Sequence, residues 1–179
     1  YYYMYYMGVN TPWRGRIGLA RATDIDNVLT WEDFLDHPVM EPRPGDYFDN
    51  TGVKPGAVYI LENGILLIYN GWMPDPTANS PGAYIHRTGW AIFSKDNLEK
   101  LLDRCDNYII EEYVPDTSVR IAFSESICYS NGKWYIHYGI QDKWIGVAVY
   151  DTESPTEEGW WNNNWIRRRP ISVDPHPEN

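Results

Sequence analysis

Three carboxylates in this sequence stand where they could act as acids, bases or hydrogen-bond acceptors. Asp142 lies between an aromatic run at 134–138 and a valine-rich run at 145–150, so we expect it in the connection between two strands, where functional residues are common. Asp49 stands in the turn-like stretch YFDNTG, and Glu125 in an expected strand. Each has an ordinary alternative, because an Asp can satisfy its own turn backbone and a strand Glu can simply face water.

Three basic side chains offer complementary chemistry. Lys54, in VKPG, could contact a phosphate or be a solvated loop cation. Arg87 could hold phosphate or hydroxyl groups through its planar fork, with His86 beside it, or form a surface ion pair. From the sequence alone, the three side chains are compatible both with an anion-binding site and with ordinary surface roles.

The elements that would position these groups recur along the chain. One phrase, an aromatic strand ending in Gly followed by a loop and a small-residue strand, occurs three times, with the first strands ending at Gly8, Gly71 and Gly139. These glycines are separated by 63 and then 68 residues. Regular strands with turn residues between them predict an all-β fold built from propeller blades of about four strands each. The one helix we predict is short, at 96–104.

Composition and charge exclude several classes of protein. The 179 residues carry a formal charge of -10, with a pI near 4.7, which argues against a nucleic-acid partner. The basic cluster at 167–169 is short, and we expect a solvated tail or a packed terminal strand there. No apolar run reaches the length of a membrane helix, so we expect a soluble protein without a membrane partner.

Cysteine and histidine usage gives no sign of a metal or a disulfide scaffold. The two cysteines, Cys105 and Cys128, stand beside apolar residues, and we expect both to be buried and reduced. The four histidines are scattered, so we expect no metal site. A cytoplasmic location fits the few cysteines and the lack of a signal-peptide pattern.

The repeat also bears on domain organisation. We interpret residues 1–179 as a single domain that ends in a polar segment at 152–179. Propellers have about four to eight blades, whereas this chain holds fewer than three at roughly 65 residues each. We therefore expect further blades before Tyr1 or, as the alternative, several copies of the chain that close a ring together.

Four longer phrases carry a resemblance to a known family: EPRPGDYFDNTGVKPGAVYI (41–60), ENGILLIYNG (62–71), TGWAIFSKDNLEKLLDR (88–104) and AFSESICYSNGKWYIHYGIQD (122–142). In this order they resemble the five-bladed propellers of glycoside hydrolase family 130, the β-mannoside phosphorylases and related β-mannosidases. The similarity runs from Tyr3 to Tyr150 and covers the second half of such a protein.

The resemblance implies an inverting enzyme acting on β-mannosides or similar β-linked oligosaccharides, by phosphorolysis or by hydrolysis. It needs no cofactor, although inorganic phosphate is a candidate co-substrate. The family's key catalytic Asp comes from an earlier blade, and we expect it upstream of this chain. The alternative is a carbohydrate-binding propeller without turnover.

The resemblance also suggests roles for individual residues. It places Asp142 against the sugar next to the cleaved bond, and Glu125 is a candidate second carboxylate, since inversion needs an acid and a base. Sugar C–H faces stack on aromatic rings. The other expected substrate-binding residues are Asp49, Arg87, His86, Tyr69, Trp72 and Trp144, and the expected phosphate-binding residues are Lys54 and Arg87.

Overall fold

The computed structural model describes residues 1–9, 14–78, 82–111, 120–141 and 143–150, together with the backbone of 151 and 167–171. These residues form eleven strands and one short 3₁₀ turn, Val28–Thr30. The strands are β1 Tyr2–Val9, β2 Gly15–Ala22, β3 Glu32–Asp33, β4 Gly52–Ile60, β5 Ile65–Pro74, β6 Tyr84–Phe93, β7 Leu101–Arg104, β8 Arg120–Ser130, β9 Lys133–Ile140, β10 Trp144–Asp151 and β11 Arg167–Ile171. The expected all-β fold is confirmed.

The strands form one three-stranded sheet and two four-stranded units. β1, β2 and β3 make the first sheet, β4 to β7 make one antiparallel unit, and β8 to β11 make the other. A short parallel pairing of Ile85 and His86 on β6 with Arg120 and Ile121 on β8 joins the two units. The repeated phrase corresponds to the antiparallel hairpins β1–β2, β5–β6 and β9–β10, as its spacing predicted.

The prediction of a helix at 96–104 was wrong, because these residues form turns followed by the strand β7. The side chain of Ser94 accepts hydrogen bonds from the backbone N–H groups of Asp96 and Asn97, and Asn97 in turn accepts from Glu99, so local turns replace the first helical turn. Of the three leucines that suggested an apolar helix face, Leu101 and Leu102 lie in β7, which pairs with the edge of β6, and Leu98 precedes this strand. No α-helix occurs among the described residues, and none of their helical turns is long and apolar enough to cross a bilayer.

The central strand β5 is buried on both faces. Its residues Leu66 and Ile68 face a core shared with β9 and β10, whereas Leu67 and Tyr69 face a core shared with β2 and the segment that follows it. Alternate residues of a strand point to opposite faces, so burial on both sides explains the unbroken apolar run ILLIY. The unit β4–β7 is thus the middle of three stacked layers.

Buried polar contacts connect β5 and β6 of one unit to β8 of the other. Asn70, Thr88 and Ser124 are each fully buried and hydrogen-bond to one another, with Asn70 Oδ1 accepting from the Ser124 N–H at 2.8 Å. A Cβ on Gly56 would lie 2.2 Å from the Ser124 carbonyl oxygen, so this close approach requires glycine. These contacts hold β8 against β4, β5 and β6.

A β-bulge interrupts β8 at Glu125. The register jumps from the pair Ser124 and Tyr138 to the pair Ser126 and His137, which leaves Glu125 without a partner residue on β9. Because the bulge reverses the alternation of buried and exposed positions, Cys128 is exposed, and the prediction that it is buried was wrong. Cys105 is buried, as predicted.

Candidate functional site

A cavity of about 680 Å³ opens where β1, β4, β5, β6 and β8 approach one another. Its volume lies within the roughly 300 to 1,000 Å³ typical of small-molecule sites. Three of the predicted binding residues, Lys54, Trp72 and His86, meet here although they are distant in sequence. The lining residues are Met7, Val9, Lys54, Trp72, Gly82, Tyr84, His86 and Phe123.

Trp72 forms a buried wall of this cavity, with its ring centroid 5.6 Å from that of His86. Its indole fits because Gly15 and Gly52, the first residues of β2 and β4, have no side chains. A Cβ built on Gly15 would lie 2.3 Å from the indole, and one built on Gly52 would lie 2.0 Å from it. Both distances are shorter than any real contact, so the two glycines position Trp72.

Phe123 is a cavity residue that the sequence analysis missed. Its ring centroid lies 4.8 Å from that of His86 and 4.5 Å from the Lys54 ammonium, a cation–π distance. The aromatic content of the chain is high and nothing in the spacing of Phe123 distinguishes it. Only the packing of β8 against β4 and β6 brings it to the site.

Lys54 and Glu125 form an ion pair beside the cavity. The Lys54 Nζ donates to Glu125 Oε1 at 2.7 Å, and the two side chains retain 30% and 56% of their exposure. Lys54 lies within β4, rather than in a loop as its alternative role assumed. The bulge on β8 places the Glu125 carboxylate against this cation.

Asp49 and Tyr69 lie away from this cavity, in the core between the first sheet and the middle layer. Asp49 is fully buried, and Arg43 binds both of its carboxylate oxygens at 3.0 Å. Arg104 and the Tyr69 hydroxyl each donate to Oδ2 at 2.6 Å. Burial raises the pKa of Tyr69 well above its usual value, so the hydroxyl stays a donor. The Asp49 carboxylate therefore accepts its hydrogen bonds from Arg43, Arg104 and Tyr69 rather than from a ligand in the cavity.

Arg87 does not line the cavity, because it is next to His86 on β6 and points to the opposite face. Its guanidinium donates twice to Glu111, which also pairs with Arg120, and it lies 4.3 Å from the Tyr108 ring centroid. Burial alone would raise the pKa of Glu111, but hydrogen bonds from Tyr108 and Arg87 and the charge of Arg120 lower it below its usual value. Arg87 thus forms an ion pair, the alternative expected for it, although a largely buried one.

The connection between β9 and β10 carries two further predicted residues. Asp142 lies outside the described residues. Its neighbour Gln141 has a positive φ of 53°, which non-glycine residues seldom adopt, and donates its N–H to the Ile121 carbonyl at 3.2 Å. Trp144 begins β10, packs on the core of that unit and has the Lys143 ammonium 4.8 Å from its ring. The connection is therefore tied to β8, the strand that carries Phe123 and Glu125.

Within the described ranges, no group of three or more His, Cys, Asp or Glu side chains is arranged to hold a metal ion. The polar groups of the side chains that line the cavity are the Lys54 ammonium, the His86 imidazole, the Tyr84 hydroxyl and the Trp72 indole N–H. This set suits a neutral or anionic ligand that also presents apolar faces to aromatic rings.

Comparison with known proteins identifies the fold. No family model and no curated protein matches the sequence. A putative glycoside hydrolase from Parabacteroides distasonis matches over 86% of the chain, at 27% identity and a TM-score of 0.65. A second structure matches over 79% of the chain, at 22% identity and a TM-score of 0.61. It represents family 130 of the mannoside phosphorylases, a family that contains glycoside hydrolases that target β-1,2-mannosidic linkages in Candida mannan. The predicted resemblance to glycoside hydrolase family 130 is confirmed.

A third solved structure has the same fold. It is the β-1,2-mannobiose phosphorylase from Listeria innocua, which matches over 85% of the chain at 19% identity and a TM-score of 0.62. The chain spans 44%, 42% and 40% of the lengths of the three matched structures. It therefore corresponds to less than half of such a protein.

Proposed function

We propose that the protein containing this chain is an inverting glycoside phosphorylase or glycoside hydrolase that acts on β-mannosides or similar β-linked oligosaccharides. In this proposal the chain forms about two and a half blades of a five-bladed propeller. The cavity that joins Lys54, Trp72, His86 and Phe123 is the observation that carries it. The structural likeness to family 130 enzymes supports the substrate class.

The cavity residues divide the work of binding. The rings of Trp72 and Phe123 would contact the C–H faces of the sugar, and His86 and Tyr84 would hydrogen-bond to its hydroxyl groups. Lys54 would hold the anion if inorganic phosphate is the attacking group. Asp142, which belongs to the connection between β9 and β10, would accept hydrogen bonds from two hydroxyls of the sugar beside the cleaved bond. The proton donor would come from an earlier blade.

One observation favours a second candidate, a carbohydrate-binding propeller without turnover. None of the described residues that line the cavity is a carboxylic acid. Inversion by hydrolysis requires an acid and a base about 6.5 to 9.5 Å apart. Glu125, beside the cavity, is already paired with Lys54. A binding protein would need no such pair of acids.

The test is incubation of the full-length protein that contains this chain with β-1,2-mannobiose, with and without inorganic phosphate, and analysis of the products. Mannose 1-phosphate formed only with phosphate indicates phosphorolysis, and mannose formed in both conditions indicates hydrolysis. Saturable binding of the disaccharide without either product supports the binding protein. The absence of both binding and products would overturn the proposal.

The Asp142→Asn variant tests the assignment within the site. We expect sugar affinity to fall at least about tenfold, because a charged acceptor of two hydroxyls becomes a neutral amide. Asp46→Asn is the matched control, since Asp46 is an exposed loop acid away from the cavity lining. Equal sugar affinity in the two variants would show that Asp142 has only a turn role.

A further inference from the structure

The carboxylate of Glu125 reaches Lys54 because of one extra residue in β8. In a regular strand Glu125 would have a partner residue on β9, but the register skips it between Ser124 and Ser126. A second register shift, between Pro55 and Ala57 on β4, lies next to Lys54. Both irregularities occur where the two strands touch through Gly56 and Ser124. Bulges of this kind are concentrated near active sites because they redirect side chains.

The Lys54 ammonium therefore has two fixed neighbours. Glu125 Oε1 lies 2.7 Å from Nζ, and the Phe123 ring centroid lies 4.5 Å from it. The ring holds the cation at the cavity wall without neutralising it, whereas the carboxylate cancels its charge. An anion that entered the cavity would have to share the ammonium with Glu125 or displace the carboxylate, and would be repelled by it in either case.

We infer that Glu125 is a specificity residue that weakens the binding of inorganic phosphate at Lys54 and so favours water as the attacking group. In phosphorolysis a phosphate oxygen bonds to the anomeric carbon as the glycosidic C–O bond breaks, and the leaving oxygen takes a proton. In hydrolysis a water oxygen forms that bond as the same glycosidic C–O bond breaks, the water gives a proton to a carboxylate base, and the leaving oxygen takes a proton from the acid. Only the first reaction needs an anion at Lys54, so a carboxylate there selects between the two. The inference rests on the proposed function for its reaction, but not for the anion binding itself.

The test measures the affinity of inorganic phosphate for the full chain by titration calorimetry at constant ionic strength, with no sugar present. Glu125→Gln removes the negative charge and keeps the shape of the side chain. We expect it to increase phosphate affinity about threefold, the effect of one partly exposed charge. Lys54→Gln should abolish the binding. Glu125→Ala is a second variant, for which we expect a change in the same direction.

Glu62→Gln is the matched control, because Glu62 is an exposed acid outside the cavity lining and its loss changes the net charge by the same amount. Its phosphate affinity should equal that of the wild type. Equal affinity in Glu125→Gln and Glu62→Gln would overturn the inference. Weaker binding in Glu125→Gln would also overturn it, since Glu125 would then be needed to position Lys54.

The outcome is separable from that of the proposed function. If phosphate binding responds as expected but no β-mannoside is bound or cleaved, the inference holds and the proposed function fails. If β-mannosides are cleaved and phosphate affinity does not respond to Glu125, the proposed function holds and the inference fails. Where both hold, Glu125→Gln should raise the yield of sugar phosphate relative to free sugar.

Discussion

Two carboxylates, Asp49 and Glu125, pair with cations in very different surroundings. Asp49 is fully buried and receives hydrogen bonds from Arg43, Arg104 and Tyr69. The Glu125 side chain keeps 56% of its exposure and contacts Lys54 at the edge of the cavity. The hydrogen bonds to Asp49 come from buried side chains that a ligand cannot reach. Glu125 pairs with Lys54, and a ligand in the cavity could bind that partner instead. Ion pairing alone therefore does not indicate function, and access to a cavity distinguishes the two.

Replacing Asp49 should have the largest effect on stability. In Asp49→Asn the largely buried guanidinium groups of Arg43 and Arg104 lose the buried charge that they share, and we expect the free energy of unfolding to fall by about 3 to 5 kcal/mol. Chemical denaturation measures this. Asp106→Asn is the control, because Asp106 contacts the same Arg43 at 3.3 Å but is exposed, and it should cost less than about 1 kcal/mol. Similar losses in both variants would remove the contrast between buried and exposed acids.

Replacing Gly52 tests whether the cavity wall depends on backbone shape. In Gly52→Ala the new methyl group would overlap the Trp72 indole, so we expect a loss of about 1 to 3 kcal/mol in unfolding free energy and a change in tryptophan fluorescence. Gly139→Ala is the control, since a Cβ there meets nothing closer than 4.0 Å. If both variants have wild-type fluorescence, the glycines do not position Trp72.

Glu111 is intermediate between the two acids, because its side chain keeps 16% of its exposure and pairs with Arg87 and Arg120. We expect Glu111→Gln to cost about 1 kcal/mol at neutral pH. Its folded-state pKa is lowered from 4.5, so the carboxylate contributes its full stability above pH 4.5 and loses it as the pH falls through the lower folded value. The difference in unfolding free energy between wild type and variant should shrink on acidification. A constant difference from pH 7 to pH 3 would contradict this.

The hairpins could be predicted from the sequence, whereas the partners of the charged side chains in ion pairs could not. The β8–β9 hairpin is specified by residues close together in the sequence. Its strands have alternating aromatic residues, and its turn residues, Asn131 and Gly132, both have positive φ. The helix expected at 96–104 does not form, because residues 101–104 pair as β7 with β6. This pairing joins residues that are distant in sequence, so the local pattern does not indicate it. Phe123 was missed for the same reason, since three strands converge on it.

The amino-acid pattern alone indicated strands, turns, the repeated hairpin and the resemblance to family 130, because these depend on residues that are neighbours along the chain. It also supplied Lys54, Trp72 and His86 as candidates. The tertiary structure decided which candidates share a cavity and which acids are sealed in the core. It did so through contacts between distant residues, such as Gly52 with Trp72, and through one bulge that redirects Glu125 to Lys54.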